Sequence, residues 1–141
     1  MSGFLLDTNC ISELVRNHPD PSVVKWVDST DESLLYLSVL TLGEIRKGIA
    51  TLAASVRRTK LETWLEVELK RRFAGKILPI DGAVADHWGI LAAAAKKTGK
   101  SLSAVDGLLA ATAIHNSLSI VTRNVGDFEI AQVQVVNPWH E

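Results

Sequence analysis

Short apolar runs alternate with longer helical patterns along this chain. Phe4–Leu6, Leu35–Leu40, Ile77–Ile80, Leu118–Thr122 and Val133–Val136 predict strands, the last two rich in Val and Ile. Between them, Leu61, Leu65, Leu69 and Phe73 recur every four residues with Trp64 beside them, and Val84, Trp88, Leu91, Ala92 and Ala95 repeat the pattern, so two helices with an apolar stripe are expected. Val105–Ile114 is apolar almost all round, which predicts a helix buried against the sheet. The punctuation agrees: Pro19-Asp20-Pro21 breaks the first helical stretch, Gly75 and Gly99 suit helix ends, and Pro138 closes the last strand. No internal repeat or linker interrupts the order. Strands alternating with helices imply an α/β fold with a parallel sheet covered on both faces.

Composition narrows the class. With 141 residues, 47% of them hydrophobic and 22% charged, the chain reads as one globular domain over residues 1–141 with one core. Its apolar stretches fall far short of the roughly 18 residues that suggest a membrane span, and Met1-Ser2-Gly3 leads into a strand rather than a signal sequence, so a soluble cytoplasmic protein is expected. Cys10 has no second cysteine to pair with and lies in an apolar helical start, which predicts a buried structural thiol. The four histidines lack metal-ligand spacing. His87 and His115 fall in predicted helices and His18 and His140 at segment ends, where packing or surface roles are expected. A net charge of −1 gives no whole-molecule nucleic-acid signature. Three local basic clusters stand out nonetheless: Arg57-Arg58 with Lys60, Lys70-Arg71-Arg72, and Lys96-Lys97 with Lys100. Each reads as a solvated helix face or, more sharply, as a phosphate contact.

The candidate chemistry is acidic. Asp7 ends the run Phe4-Leu5-Leu6, and a carboxylate at a strand's carboxyl end sits where open α/β sheets place their ligands. Glu44, Asp81 and Asp127 also follow candidate strands, and Asp106 opens the strongly apolar helix. Each has a structural alternative. Thr41-x-x-Glu44 and Ser103-x-x-Asp106 fit the capping box, and Asp7, Asp81 and Asp127 suit caps or turns. Caps alone do not explain why so many acids gather at strand ends and first helical turns. Two carboxylates about 4 Å apart repel by roughly 4 kcal/mol at an effective dielectric of about 20, so a shared pocket requires a cation or a shared proton. An all-oxygen donor set suits Mg²⁺ or Mn²⁺ rather than zinc, and such ions act most often on phosphates.

Four segments together carry a family resemblance. Leu5-Leu6-Asp7-Thr8-Asn9, Thr41-Leu42-Gly43-Glu44-Ile45-Arg46-Lys47-Gly48, Ala104-Val105-Asp106-Gly107-Leu108-Leu109-Ala110-Ala111-Thr112-Ala113 and Val121-Thr122-Arg123-Asn124-Val125-Gly126-Asp127-Phe128 resemble, in order and spacing, the four motifs of the PIN-domain ribonucleases. The likeness runs from Phe4 to Asn137-Pro138-Trp139-His140, which resembles the end of the VapC and FitB-like branch, the toxin half of bacterial toxin–antitoxin pairs.

That resemblance implies a three-layer α/β/α fold and a Mg²⁺-dependent endoribonuclease. It implies Asp7, Glu44 and Asp106 as the central metal-binding acids, Asp7 and Asp106 being the most direct ligands. In some members the fourth acid stands where this chain has Asn124, in others at the position of Asp127. Asn124 supplies only a neutral oxygen, so Asp127 is taken as the fourth. Thr8, Asn9 and Thr122, with Asn124, would support them, while Asp81 matches no catalytic position and reverts to capping. The family also implies an RNA substrate, a cognate antitoxin that occludes the acidic pocket, homodimerisation through helices and promoter DNA binding through the antitoxin. The alternative from a different class is a catalytically silent PIN-like interaction module, against which the retained acids argue. An aspartyl-nucleophile phosphatase is set low, because it needs a second acid where this chain has Asn9.

Overall fold

A computed structural model describes residues 3–140, with the side chain of His140 left aside; Met1, Ser2 and Glu141 lie outside the described residues, and with them the sequence reading of Met1-Ser2-Gly3 as an approach to the first strand. Strand β1 (Phe4–Leu6) leads into helix α1 (Thr8–Leu14), and α2 (Pro21–Ser29) follows a break at Pro19-Asp20-Pro21. A short 3-10 turn precedes β2 (Leu35–Ser38), which passes directly into α3 (Val39–Ala50). Helix α4 (Val56–Thr63) runs through a π-helical stretch, Trp64–Leu69, into α5 (Lys70–Arg72). Then come β3 (Ile77–Leu78), α6 (Gly82–Lys97), α7 (Ala104–His115) and β4 (Ser119–Val121). A 3-10 segment (Val125–Ala131), β5 (Val135–Val136) and a last turn (Pro138–His140) close the chain.

The strands pair in parallel in the order β3-β2-β1-β4-β5. Strand order therefore reverses between β1 and β4, and the crevice outside the carboxyl ends of those two strands is the ligand position of such sheets. Side chains alternate across the sheet. Leu6, Leu35, Leu37 and Val121 join one core with Cys10, Val23, Ile45 and Leu65 from the helices. Leu5 and Ile120 face the other, with Leu109, Ala110 and Phe128. Those two cores make the three layers that the sequence implied.

Element ends differ from expectation in an informative way. The apolar run Leu35–Leu40 yields a strand only to Ser38, because the Ser38 hydroxyl accepts the Leu40 amide at 3.0 Å and starts α3 two residues early. The capping-box reading of Thr41 and Glu44 is thereby overturned: both lie inside the helix. The four-residue repeat of Leu61, Leu65, Leu69 and Phe73 also has a consequence. Four residues overshoot one α-helical turn by about 40°, so a strict repeat drifts off its face; the more loosely wound π stretch restores alignment, and Leu65, Leu69 and Phe73 are all buried. Gly75 and Gly99 take φ of +77° and +69° just past helix ends, as the sequence suggested. Cys10 is fully buried, and desolvation pushes its thiol up to about 12, consistent with a structural role. His87 and His115 lie on α6 and α7 with their rings 5.5 Å apart.

Candidate metal centre

The crevice at the strand switch is built around Asp7. Its backbone is extended (φ −72°, ψ 159°) and caps α1, so the capping alternative and a site role fall on the same residue. Its amide donates to Val121 O at 2.9 Å, fixing it to the end of β4. The side chain is 8% exposed. Oδ1 accepts from the Thr8 amide at 2.8 Å, and Oδ2 accepts from the Thr122 hydroxyl at 2.8 Å.

Thr122 dictates the sense of that bond. A hydroxyl has one hydrogen and two acceptor lone pairs. Asn9 Nδ2 donates to Thr122 Oγ1 at 3.2 Å and the Asn124 amide donates to it at 3.1 Å, so both lone pairs are used and the hydrogen is left for Asp7. Both Asp7 oxygens thus act as acceptors, which suits the ionised form and leaves each with capacity for one more positive partner. Asn9 Oδ1, by contrast, is buried and has no hydrogen-bond partner among the described residues. An orphaned acceptor two residues from an ionised carboxylate fits an occupant of positive character.

The other acids approach from separate elements. Glu44, exposed on α3, accepts the Thr8 hydroxyl at 2.6 Å, which ties it to the residue beside Asp7. Asp106 lies in the first turn of α7, half-buried, and its amide donates to the Ser103 hydroxyl at 3.2 Å, as the capping reading expected. Asp127 is exposed inside the 3-10 segment that starts at Val125, so its cap reading is overturned; Asn124 holds the cap position without a side-chain bond. Asp81 caps α6 by accepting the Val84 amide at 3.0 Å. It follows β3 at the sheet's far edge, away from the switch.

Electrostatics links four of these five acids. Burial pushes the Asp7 carboxyl above its ordinary range, the Thr122 and Thr8 hydrogen bonds pull it back, and the charges of Glu44 and Asp106 push it up again. Burial likewise raises Asp106, the Ser103 hydroxyl opposes, and Asp127 and Glu44 add to the rise. Asp7, Glu44 and Asp106 therefore feel one another, and Asp127 joins through Asp106. Among the described residues no three His, Cys, Asp or Glu side chains close into a metal cage. The donor set is nonetheless all oxygen, in keeping with a hard divalent cation. Thr8 and Glu44 line both a cleft of about 600 Å³ shared with Val39, Lys47 and Val105, and a neighbouring one of about 290 Å³ reaching Arg57 and Trp64.

Sequence reasoning missed two features nearby. Glu13 is 5% exposed, and its carboxyl is held low by the Asp20 amide and by Arg16; the Glu13-x-x-Arg16 spacing was its only signal. Arg123 lies over the Trp139 ring, a contact between positions too distant in sequence for periodicity to suggest.

Comparison with known proteins identifies the fold. The PIN domain family matches over residues 4–132. Toxin FitB of Neisseria gonorrhoeae is 44% identical over 137 residues, covering 97% of this chain and 99% of that protein. VapC ribonuclease Y4jK of Sinorhizobium fredii is 40% identical over 135 residues, covering 96% of each. Among solved structures, FitAcB from Neisseria gonorrhoeae superposes with a TM-score of 0.93 at 43% identity, over 98% of this chain and 99% of that one. FitAB bound to the IR36 DNA fragment gives 0.93 at 42% identity, over 98% and 96%.

Proposed function

The chain belongs to the PIN-domain family, and from that premise we propose that it is a Mg²⁺-dependent endoribonuclease, the toxin component of a type II toxin–antitoxin system. The observation that carries the proposal is the Asp7 network: a buried carboxylate at the strand switch, both oxygens fixed as acceptors, facing the charges of Glu44 and Asp106. Asp7 and Asp106 would hold the cation directly, with Glu44 and Asp127 completing the acidic set and Thr8, Asn9, Thr122 and Asn124 supporting it. Mn²⁺ is the natural substitute. When bound, such an ion polarises phosphoryl oxygens, lowers the pKa of a water and offsets charge on the leaving oxygen. The chain's own part is to orient Asp7 with both oxygens as acceptors, to present the other acids from α3, α7 and the 3-10 segment, and to open two clefts in which single-stranded RNA can lie.

The reading extends to partners. Curated relatives carry the names toxin and VapC ribonuclease, and FitAB has been solved on DNA, so we assign this chain a cognate antitoxin, promoter binding through that antitoxin and a homodimeric state. A single domain over residues 1–141 and a cytoplasmic site of action belong to the same proposal. No described helix is long and apolar enough to cross a membrane. The test is cleavage of single-stranded RNA by the purified chain with Mg²⁺, with chelator, and with Asp7→Asn. Metal-dependent cleavage lost in the variant supports the reading. Absence of cleavage by the wild-type chain across varied RNA substrates, together with absence of Mg²⁺ binding, would reduce it to a silent interaction module.

A further inference from the structure

Arg123 follows Thr122 at the carboxyl end of β4, one residue from the hydroxyl that holds Asp7. It is exposed, and its guanidinium carbon lies 5.7 Å from the centre of the Trp139 ring. No carboxylate pairs with it among the described residues, whereas Arg16, Arg46, Arg58 and Arg72 each have one. Trp139 is itself anchored: its amide donates to Asn137 Oδ1 at 3.0 Å, and its ring packs against the core that contains Cys10 and Val23. A guanidinium resting on an aromatic ring is attracted by the ring's quadrupole and loses rotamer freedom, while its edge N–H groups stay available. That edge is a two-pronged donor of the kind that phosphate accepts in bidentate fashion.

Position selects which phosphate. Arg123 forms no ion pair with Asp7, Glu44, Asp106 or Asp127 among the described residues, so its guanidinium is left for a phosphate other than the one at the acids. It stands just past the carboxyl end of β4, the strand that flanks the switch on the side away from β2.

We propose that Arg123, seated on Trp139, binds an RNA phosphate flanking the scissile one and so acts as a substrate-positioning residue. This rests on the ribonuclease reading above. A contact to a flanking phosphate present equally in bound substrate and transition state moves KM and leaves kcat.

The experiment compares the wild-type chain with Arg123→Gln, Arg123→Lys, Trp139→Phe and Trp139→Leu, using one single-stranded RNA oligonucleotide with Mg²⁺ over a range of salt concentrations. Arg123→Gln should raise KM about tenfold, as expected for one charge-assisted contact, with kcat within about twofold. It should also flatten the log–log salt slope by about 0.7, the value for one phosphate on a single strand. Arg123→Lys should recover the slope but only part of the affinity, because the charge returns without the fork. Trp139→Phe should stay close to wild type, and Trp139→Leu should approach Arg123→Gln without adding to it in the double variant. Mg²⁺ affinity, read by calorimetry, should be the same throughout. An unchanged KM in Arg123→Gln with an active wild type overturns this inference alone and leaves the guanidinium to a protein partner. A fall in kcat without a change in KM, or a loss of Mg²⁺ affinity, overturns it too. A wild-type chain that cleaves no RNA removes the ribonuclease reading and this one together.

Discussion

Replacing Thr122 with valine probes the site where it is most tightly built. The change preserves side-chain shape and removes one hydroxyl, on a residue with no exposed surface, that makes three hydrogen bonds. The bond to ionised Asp7 is buried and contributes about 1.5–3 kcal/mol; those from Asn9 and the Asn124 amide join neutral groups at part-buried positions and contribute about 1 kcal/mol each. Valine should therefore cost about 3–5 kcal/mol, a large fraction of the roughly 5–15 kcal/mol that stabilises an ordinary domain. Serine returns the hydroxyl and gives up one methyl, a loss of about 1 kcal/mol. The loss should also depend on pH. The Thr122 bond is the strongest influence holding the Asp7 carboxyl down, so valine raises it further. A carboxyl raised in the folded state contributes stability below its unfolded value, 3.8, and loses it as pH rises through the folded value. The valine penalty should accordingly be greatest at pH values above the raised Asp7 value, where the carboxylate is ionised, and shrink as pH falls through it. Urea unfolding of the three metal-free proteins across that range measures it. A valine penalty under about 1 kcal/mol, or a serine variant no better than valine, would refute the assignment of Thr122 as the hub of the site.

Three further outcomes follow from the same geometry. Asp106→Asn should abolish Mg²⁺ binding in calorimetry yet stabilise the metal-free protein near neutral pH, with the gain fading as pH falls through the raised Asp106 value; Asp7→Asn should lose binding too but destabilise, because its amide must turn a donor toward either the Thr8 N–H or the saturated Thr122 hydroxyl. Equal stability changes in the two variants would count against the network. Gly107→Ala would place a Cβ 2.9 Å from Trp88 Cδ1, one residue from Asp106, and should cost about 1–3 kcal/mol, partly recovered by adding Trp88→Leu; thermal melts of the pair check this. In single-turnover cleavage, Asp127→Ala should be the more damaging and Asn124→Ala the milder, since Asn124 contributes its backbone amide rather than a side-chain bond; the reverse ranking would move the fourth ligand to Asn124.

Periodicity made the layers legible because strands and the buried α7 leave strong apolar signals, and the acids were legible because carboxylates at strand ends are chemically costly without a purpose. Boundaries were less so. Val39 and Leu40 look like strand residues by type, and only the Ser38 hydroxyl, a single polar atom in an apolar run, turns them into the first turn of α3. The family resemblance could suggest that Thr122 supports the acids but not why. That required the two donors, Asn9 from α1 and the Asn124 amide from the loop after β4, to be seen converging on one oxygen from positions far apart in sequence. Arg123 and Trp139 escaped for the same reason: sequence reports what lies along an element, whereas this pair is made because β5 lies parallel beside β4, which brings the turn after β5 next to the loop after β4.

The arrangement explains why four acids can coexist here. Asp7 alone is locked, by a cap on one side and a saturated hydroxyl on the other, and it lies at the only strand junction where the order reverses among the described residues. The other three are carried by α3, α7 and the 3-10 segment, with Glu44 and Asp127 exposed and Asp106 half-buried, so solvent screens much of their mutual repulsion. A fold that buried all four would need a cation merely to stand. One that fixes a single carboxylate and carries the rest on separate elements, exposed or half-buried, lowers the repulsion that the fold must carry without a cation. The Glu44 carboxylate is tied to the Thr8 hydroxyl beside Asp7, and the Asp106 backbone is fixed at the start of α7 by Ser103, so two of the three are held by their own local bonds rather than by one another.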